Sequence, residues 1–199
     1  MREKVRRRKI GNTILFVVDA SGSMGANQRM KAVKTAVLSL LLNAYQQRDR
    51  VGLIAFRGRD AELLLPPTSS VELAEKYLRE IPTGGKTPLP HGLMKAYEVF
   101  KTELLRNPDI SPLLVLLSDG RANMPLWGNP LEDVEKIGEL LRKQRVKSII
   151  LDCEHGLVSL GLAKTISQIL DAQYILLEEI KTTNILKSIK CSINTSFNP

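Results

Sequence analysis

Asp19, Ser21 and Ser23 stand at alternate positions directly after an unbroken apolar run, Ile14-Leu15-Phe16-Val17-Val18. A second apolar run, Leu113 to Leu117, ends in Ser118-Asp119-Gly120. Two carboxylates and the hydroxyls of Ser21 and Ser23 are hard oxygen donors, and no thiol or imidazole accompanies them. Such a set suits Mg²⁺, Mn²⁺ or Ca²⁺ and argues against zinc. The D-x-S-x-S spacing lets alternate residues of a turn point the same way, while Gly22 and Gly25 permit tight backbone geometry. An ion held by few charged ligands keeps net positive character and can accept a further carboxylate from outside.

Distant residues can share an ion only if the chain folds them to one edge. Apolar, β-rich runs alternate with helical patterns along the sequence, the mark of an α/β domain. The first strand, Ile14 to Val18, is apolar throughout and is expected to be central. Met30, Val33, Val37, Leu40, Leu41 and Ala44 recur at helical spacing. The second strand, Val51 to Phe56, should therefore run parallel to the first through a right-handed crossover. Only Arg57-Gly58-Arg59-Asp60 separates it from Ala61 to Leu65, enough for a hairpin but not for a crossover. That third strand is expected to be antiparallel, at an edge, and stopped by Pro66 and Pro67.

A short helix with Val71, Ala74 and Leu78 inward comes next, followed by the turn-rich Pro82-Thr83-Gly84-Gly85-Lys86-Thr87-Pro88. A helix carrying Leu93, Tyr97, Phe100 and Leu104 leads to the fourth strand, whose exit loop, Ser118 to Pro130, holds the only tryptophan, Trp127. Further helices are read at Leu131–Leu141, at Leu162–Ile169 and around Ile185, Ile189 and Ile193. The fifth strand is read at Ser148 to Leu151 and the sixth at Tyr174 to Leu177. The expected architecture is a doubly wound α/β fold: a mostly parallel six-stranded sheet with one antiparallel edge strand and helices on both faces. Ligands of such sheets bind outside the carboxyl ends of the strands, where strand order reverses. If the first and fourth strands are neighbours, Asp19 and Asp119 face each other across that crevice.

At these residues the sequence resembles the von Willebrand A domains. Asp19-x-Ser21-x-Ser23, the Gly-Gly-x-Thr-Pro containing Thr87, and Asp119-Gly120 match that family's metal-ion-dependent adhesion site, in the family's order. The resemblance implies that Ser21, Ser23 and Thr87 coordinate the ion with one aspartate, while the other ligates directly or through water. It runs from about Asn12 to Ile193, which divides the chain into a basic tail or linker (1–11), the domain (12–193) and a C-terminal tail (194–199). A narrower resemblance, to the C-terminal domain of the magnesium chelatase D subunit, rests on further segments. They are Phe16 to Met24, Ala44 to Val51, Ala55 to Gly58, Leu64 to Thr68, Gly84 to Leu89 and Leu151 to Glu154. In that family the D subunit joins an AAA+ ATPase partner and a large catalytic subunit to insert Mg²⁺ into protoporphyrin IX, and cobaltochelatase subunits are close relatives. The D subunit also carries an AAA-like module and an acidic, proline-rich linker ahead of this domain. The present chain has neither, and is expected to be a fragment of a longer subunit or a free-standing relative.

Other chemistries fit less well. Asp19, Ser21 or Ser23 could each cap a helix, but capping needs no distant partner. Gly85-Lys86-Thr87 imitates the end of a phosphate-binding loop, yet Glu80 stands where that pattern requires glycine. Asp19 as a phosphoryl acceptor would lack a general acid two residues on, where Ser21 stands. No Ser-His-Asp arrangement or dinucleotide fingerprint is evident. The chain is therefore expected not to be an enzyme by itself. His91 is assigned a surface or packing role, Cys153 and His155 are too few for a soft-metal site, and Asp152 and Glu154 are read as rim charges or loop acceptors. Trp127 either caps the local core or forms part of a contact surface.

A chain of 199 residues, 43% hydrophobic and 25% charged, suffices for one domain with a full core. Its formal charge of +8 is concentrated in Met1 to Lys9, a block that reads as a solvated tail or a contact for an acidic partner. Nucleic acid is not the expected partner, because only 5% of residues are aromatic and no recognition motif appears. No apolar run is long enough for a membrane span, and no apolar signal region follows the basic start. With two cysteines and no ligand pattern, a cytoplasmic protein with reduced thiols is the expectation. The expected function is metal-dependent protein–protein interaction within a chelatase-type assembly. A partner, either an AAA+ chelatase subunit or the catalytic chelatase subunit, would supply a carboxylate to the ion. The alternative is a free-standing binding protein serving another AAA+ ATPase or an adhesion partner.

Overall fold

The computed structural model describes residues 11–25, 27–154 and 160–177. Within them the chain alternates strand and helix as the periodicities require. The strands are β1 (Asn12–Asp19), β2 (Arg50–Arg57), β3 (Asp60–Thr68), β4 (Ser111–Ser118), β5 (Lys147–Asp152) and β6 (Gln173–Leu176). The helices are α1 (Asn27–Gln47), α2 (Val71–Glu80), α3 (Leu89–Arg106), α4 (Pro130–Lys143) and α5 (Leu162–Ile169), with a 3-10 turn at Gly22–Gly25 between β1 and α1. The helix read around Ile185 to Ile193, the basic start and the boundary between 193 and 194 lie outside the described residues.

The strands form one sheet in the order β3-β2-β1-β4-β5-β6. All neighbouring pairs are parallel except β2 with β3. β1 and β4 are buried along nearly their whole length because helices cover both of their faces. On one face Phe16, Val18, Val115 and Leu117 meet Val33, Val37 and Leu40 of α1 and Ala74 and Leu78 of α2. On the other, Leu15, Val17, Leu114 and Leu116 meet Leu93 and Phe100 of α3, Val134 and Ile137 of α4 and Ile166 of α5. Each buried aliphatic side chain in these layers contributes roughly 1.5–3 kcal/mol, so the central strands are held from both sides at once.

The helix ends follow local chemistry. The Ser70 hydroxyl accepts from the Leu73 amide to cap α2. Asn129 caps α4, with Pro130 at its first position, Glu132 and Asp133 in the first turn and Arg142 and Lys143 in the last. α5 starts at Gly161 without a side-chain cap of its own. There the Glu154 carboxylate accepts from the Leu160 amide at 2.8 Å and from the Gly161 amide at 3.4 Å.

One expectation about strand length is corrected. β3 continues through Pro66 and Pro67 to Thr68. Proline removes a donor, which ends a central strand but not an edge strand whose outer side needs no partner. The pairing with β2 shifts register twice on its approach to Val51↔Thr68, and the Pro67 carbonyl accepts from Arg50 Nη2 at 2.6 Å. The hairpin is also tighter than the four residues read from sequence, with Gly58 and Arg59 alone between β2 and β3.

Candidate metal centre

The strand order reverses between β1 and β4, so the carboxyl ends of these two strands open the crevice in which such sheets hold ligands. Asp19 is the last residue of β1 and is fully buried. Its Oδ1 accepts from the Ser21 amide at 2.9 Å, and its Oδ2 accepts from the Ser118 hydroxyl at 2.8 Å. Ser21 is buried and Ser23 half-buried, with their hydroxyl oxygens 3.0 Å apart. The 3-10 turn that begins at Gly22 brings this about, because it folds position 23 back over position 21.

The turn-rich segment before α3 is laced onto this loop. The Gly84 amide donates to the Ala20 carbonyl at 2.8 Å, and the Gly22 amide donates to the Gly85 carbonyl at 2.9 Å. Gly85 has φ +83, and a Cβ there would lie 3.0 Å from the Cα of Gly58 in the β2–β3 hairpin. The chain can pass between the hairpin and the serine loop only without a side chain at this point. Thr87, two residues later, is 2% exposed. Its amide donates to Asn123 Oδ1 at 2.7 Å, and its carbonyl accepts from the Asn123 amide at 3.2 Å.

Asp119, one residue past β4, is 2% exposed. Its Oδ1 accepts from the Arg121 amide at 3.1 Å. Its Oδ2 is buried without a hydrogen bond and faces the Arg121 Nε at 3.5 Å. Gly120 beside it has φ +79 and lies so close to α5 that a Cβ would fall 2.1 Å from the Ala163 amide nitrogen.

Burial dominates the electrostatics of Asp19. It pushes the carboxyl up to about 6, against the hydrogen bonds from Ser21 and Ser118 that favour the anion, and the neighbouring Asp119 charge adds to the rise. Two buried carboxylates thus lie close together, and the Oδ2 of Asp119 has the Arg121 guanidinium nearby but no hydrogen bond. A hard divalent cation would fit between them. Asp19 and Asp119, with the hydroxyls of Ser21, Ser23 and Thr87, are oxygen donors of the type magnesium, manganese and calcium accept. Among the described residues no group of three or more His, Cys, Asp or Glu side chains is placed to hold a metal ion.

The loops carrying Asp19, Ser21, Ser23, Thr87 and Asp119 thus meet at one end of the sheet. Sequence reasoning missed three supports. Ser118 holds Asp19 and also accepts from the Gly120 amide at 3.1 Å. Asn123 clamps Thr87. Asp133, the third, accepts from the Leu126 and Trp127 amides through Oδ2 and so ties the exit loop to α4. Burial alone would raise the Asp133 carboxyl, but the Trp127, Leu126 and Gly128 amides and Lys136 outweigh it and hold it below the usual carboxylate value. A serine closing an apolar strand was the one visible hint of Ser118. Nothing in the sequence separates Asn123 or Asp133 from ordinary loop and helix residues.

His91 lies in the first turn of α3, with its Nδ1 buried and unpartnered. Cys153 is buried and its thiol donates to the Leu151 carbonyl, while His155 lies outside the described residues. Asp152 is a loop acceptor, taking the Glu154 amide and the Tyr174 hydroxyl. Trp127 is 55% exposed, which places it on the surface and not over the core. Among the described residues no helix is long and apolar enough to cross a membrane.

A doubly wound sheet with an oxygen-rich crevice at its switch point, built from three loops in this order, defines a class of ion-binding α/β modules. The chain belongs to the von Willebrand factor type A domain family, whose model matches residues 14–121. It is 42% identical over 175 residues to an uncharacterized protein of Methanocaldococcus jannaschii, an alignment covering 87% of this chain and all of that one. It is 40% identical over 195 residues to the magnesium-chelatase 67 kDa subunit of Chlorobaculum parvum, covering 92% of this chain and 31% of that subunit. The chain therefore spans about a third of the chelatase subunits it matches and the full length of the archaeal protein. In three dimensions it resembles an aerotolerance-related membrane protein from Bacteroides fragilis, with TM-score 0.72 and 18% identity, over 93% of this chain and all of that one. That likeness concerns the fold.

Proposed function

We propose that the chain is a metal-dependent protein-recognition module, which grips a partner through a carboxylate that completes the coordination of a Mg²⁺-class ion. The observation that carries this reading is the pair Asp19 and Asp119, both buried at the switch point, with Asp119 Oδ2 lacking a hydrogen bond. Asp19, Ser21, Ser23, Thr87 and Asp119 would hold the ion, with Mn²⁺ and Ca²⁺ as the other cations the donors suit. When bound, the ion supplies a Lewis-acidic position that an external carboxylate can fill. The two aspartates would balance its formal charge, but five protein donors leave a six-coordinate ion one position short, so the contact depends on both the metal and the partner's acid. The hydroxyl that Asp19 holds, that of Ser118, is fully buried and out of reach of a substrate, which favours binding over catalysis.

The resemblance to magnesium-chelatase subunits favours a place in a chelatase-type assembly in the cytoplasm. There the partner would be an AAA+ ATPase subunit or the large catalytic subunit that metallates the tetrapyrrole. The full-length match to the archaeal protein favours a second reading, a free-standing module serving a different ATPase or an adhesion partner. Pull-down of the organism's AAA+ chelatase subunit, in Mg²⁺ and in EDTA, separates the two. Capture that requires Mg²⁺ and is lost in Asp19→Ala supports the chelatase reading. Absence of capture by a chain that binds Mg²⁺ favours the free-standing one. A folded Asp19→Ala chain that captures the subunit as well as the parent does would sink the ion-bridged mechanism.

A further inference from the structure

A groove of about 640 Å³ runs between α1 and α2. Thr83 lines its upper end, and the next residue, Gly84, is hydrogen-bonded to Ala20 between Asp19 and Ser21. One stretch of backbone, Thr83 and Gly84, therefore borders the groove and is tied to the loop of the candidate site. Its floor is apolar, formed by Met30, Leu78 and Ile81. Its rim near the ion is cationic. Lys31 and Lys34 occupy the first turns of α1, and Arg79 occupies the last turn of α2. Among the described residues Glu75 is the one acidic residue of the lining, and it is already ion-paired with Arg79. The Lys34 ammonium donates to the Arg79 carbonyl at 2.7 Å, and partial burial holds its pKa below the ordinary value.

Away from the ion the same face of α1 changes character. Lys31, Lys34, Leu38, Leu42 and Tyr45 follow one another at spacings of three or four and so form one stripe. Leu38 packs against the core, whereas Leu42 and Tyr45 are 52% and 60% exposed. At 1.5 Å per residue the stripe is about 21 Å long, the length of a four-turn helix or of roughly six extended residues.

We propose that this α1–α2 face is the second half of the partner contact. It receives a protein segment that is acidic where it adjoins the ion-binding carboxylate and aliphatic or aromatic beyond it. Charge complementarity places the acidic end against Lys31 and Lys34, since Arg79 is already paired with Glu75, and the apolar end lies on Leu38, Leu42 and Tyr45. The proposal rests on the ion-bridged reading above and adds the register and chemistry of the segment that follows the bridge. It accounts for how a module with a single-carboxylate anchor could distinguish its partner from any other exposed acid.

The test is selection of a random dodecapeptide display library on the full chain in Mg²⁺, repeated on Lys31→Glu, Thr35→Trp and Asp19→Ala. Lys31 and Thr35 are exposed on the groove wall, so the first variant reverses a rim charge and the second fills the groove without touching the core. The parent should enrich peptides with clustered carboxylates on one side of an apolar pair. Lys31→Glu should lose the clustering and Thr35→Trp the apolar pair, with Mg²⁺ dependence retained. A parent-selected peptide should bind either variant about tenfold more weakly, as expected for loss of one charged or one apolar anchor. Asp19→Ala should lose Mg²⁺ dependence. Identical peptides from the parent and both groove variants, or no enrichment at all, would overturn the groove proposal. Mg²⁺-independent selection that still differs in the groove variants would leave the groove standing and overturn the ion bridge. A labelled single-stranded oligonucleotide that competes with the selected peptides and loses affinity in the same variants would overturn the assignment to a protein segment.

Discussion

The hydroxyl of Ser118, at the end of β4, donates to Asp19 Oδ2 at the end of β1 across 2.8 Å, and both residues are fully buried. This bond joins the two strands at the point where their order reverses, and it supports the anionic form of Asp19. Ser118→Ala should remove a buried donor to a charged acceptor, at a cost of about 1.5–3 kcal/mol. Part of that loss should appear as weaker Mg²⁺ binding at neutral pH, because the Asp19 carboxyl would then hold its proton more tightly. Ser118→Thr should restore most of both. Isothermal titration with Mg²⁺ and urea melts in EDTA would measure the two losses; an alanine variant with parental Mg²⁺ affinity would show that the bond is not a support of the site.

Proton linkage at Asp19 makes the metal-free chain behave unusually. Its folded value, about 6, lies above the unfolded value of 3.8, so between the two the native state binds more protons than the unfolded state. Stability contributed by this residue is therefore full below the unfolded value and is lost as pH rises through the folded one, by about 3 kcal/mol in all. Asp133, whose carboxyl is held low, has the opposite sign, but its contribution is complete above the unfolded value and stays level across the window. Urea midpoints in EDTA should fall between pH 5 and pH 7.5. In saturating Mg²⁺ the trend should reverse, since the cation binds the carboxylate and competes with the proton. A midpoint in EDTA that rises over this interval would contradict the assignment.

The fold was legible because its signals are long. Two apolar runs of five residues with helical periods around them identify central parallel strands, and a four-residue link identifies the one antiparallel pair. The candidate site was legible in its proposed ligands, since carboxylates and hydroxyls at strand ends are residue types with a chemical reason to be there. Its supports were not. Asn123 acts through a two-point contact with a residue 36 positions away, and Asp133 acts through amides of a loop that has no periodicity. The course of β3 through Pro66 and Pro67 was hidden for a related reason. Whether a proline ends a strand depends on which side of the sheet lacks a partner, and that is a property of the assembled sheet.

Gly120 should tolerate no side chain, whereas Gly161 should. Both have positive φ, +79 and +64. A Cβ at Gly120 would fall inside the contact distance of Ala163 N and Leu162 C, and nothing lies within 4 Å of one at Gly161. Gly161→Ala should cost only the left-handed penalty of about 1–2 kcal/mol. Gly120→Ala adds a backbone clash that only displacement of α5 or of the Asp119 loop can relieve, so it should lower both the melting temperature and Mg²⁺ affinity well beyond the Gly161 variant. Thermal melts with and without Mg²⁺ read both effects, and equal losses in the two variants would refute the contact.

Asn123 offers the sharpest separation of site from scaffold. It is exposed, belongs to no helix or strand, and touches Thr87 through both its side chain and its amide. Asn123→Ala keeps the backbone half of the clamp and removes the carbonyl that receives the Thr87 amide. The core layers are untouched, so the stability of the EDTA form should change by no more than about 1 kcal/mol, the net worth of one such bond. The Thr87 hydroxyl is one of three neutral donors proposed for the ion, and its position depends on that amide. Mg²⁺ affinity should therefore fall severalfold or more while the melting temperature in EDTA stays near the parent's. Asn123→Asp should keep the acceptor and bring a further negative charge near the ion, so it should bind Mg²⁺ at least as tightly as the parent. Calorimetric titration of the three proteins decides the matter. Alanine and aspartate variants that lose affinity alike would mean the loop acts through its shape and not through the bond to Thr87.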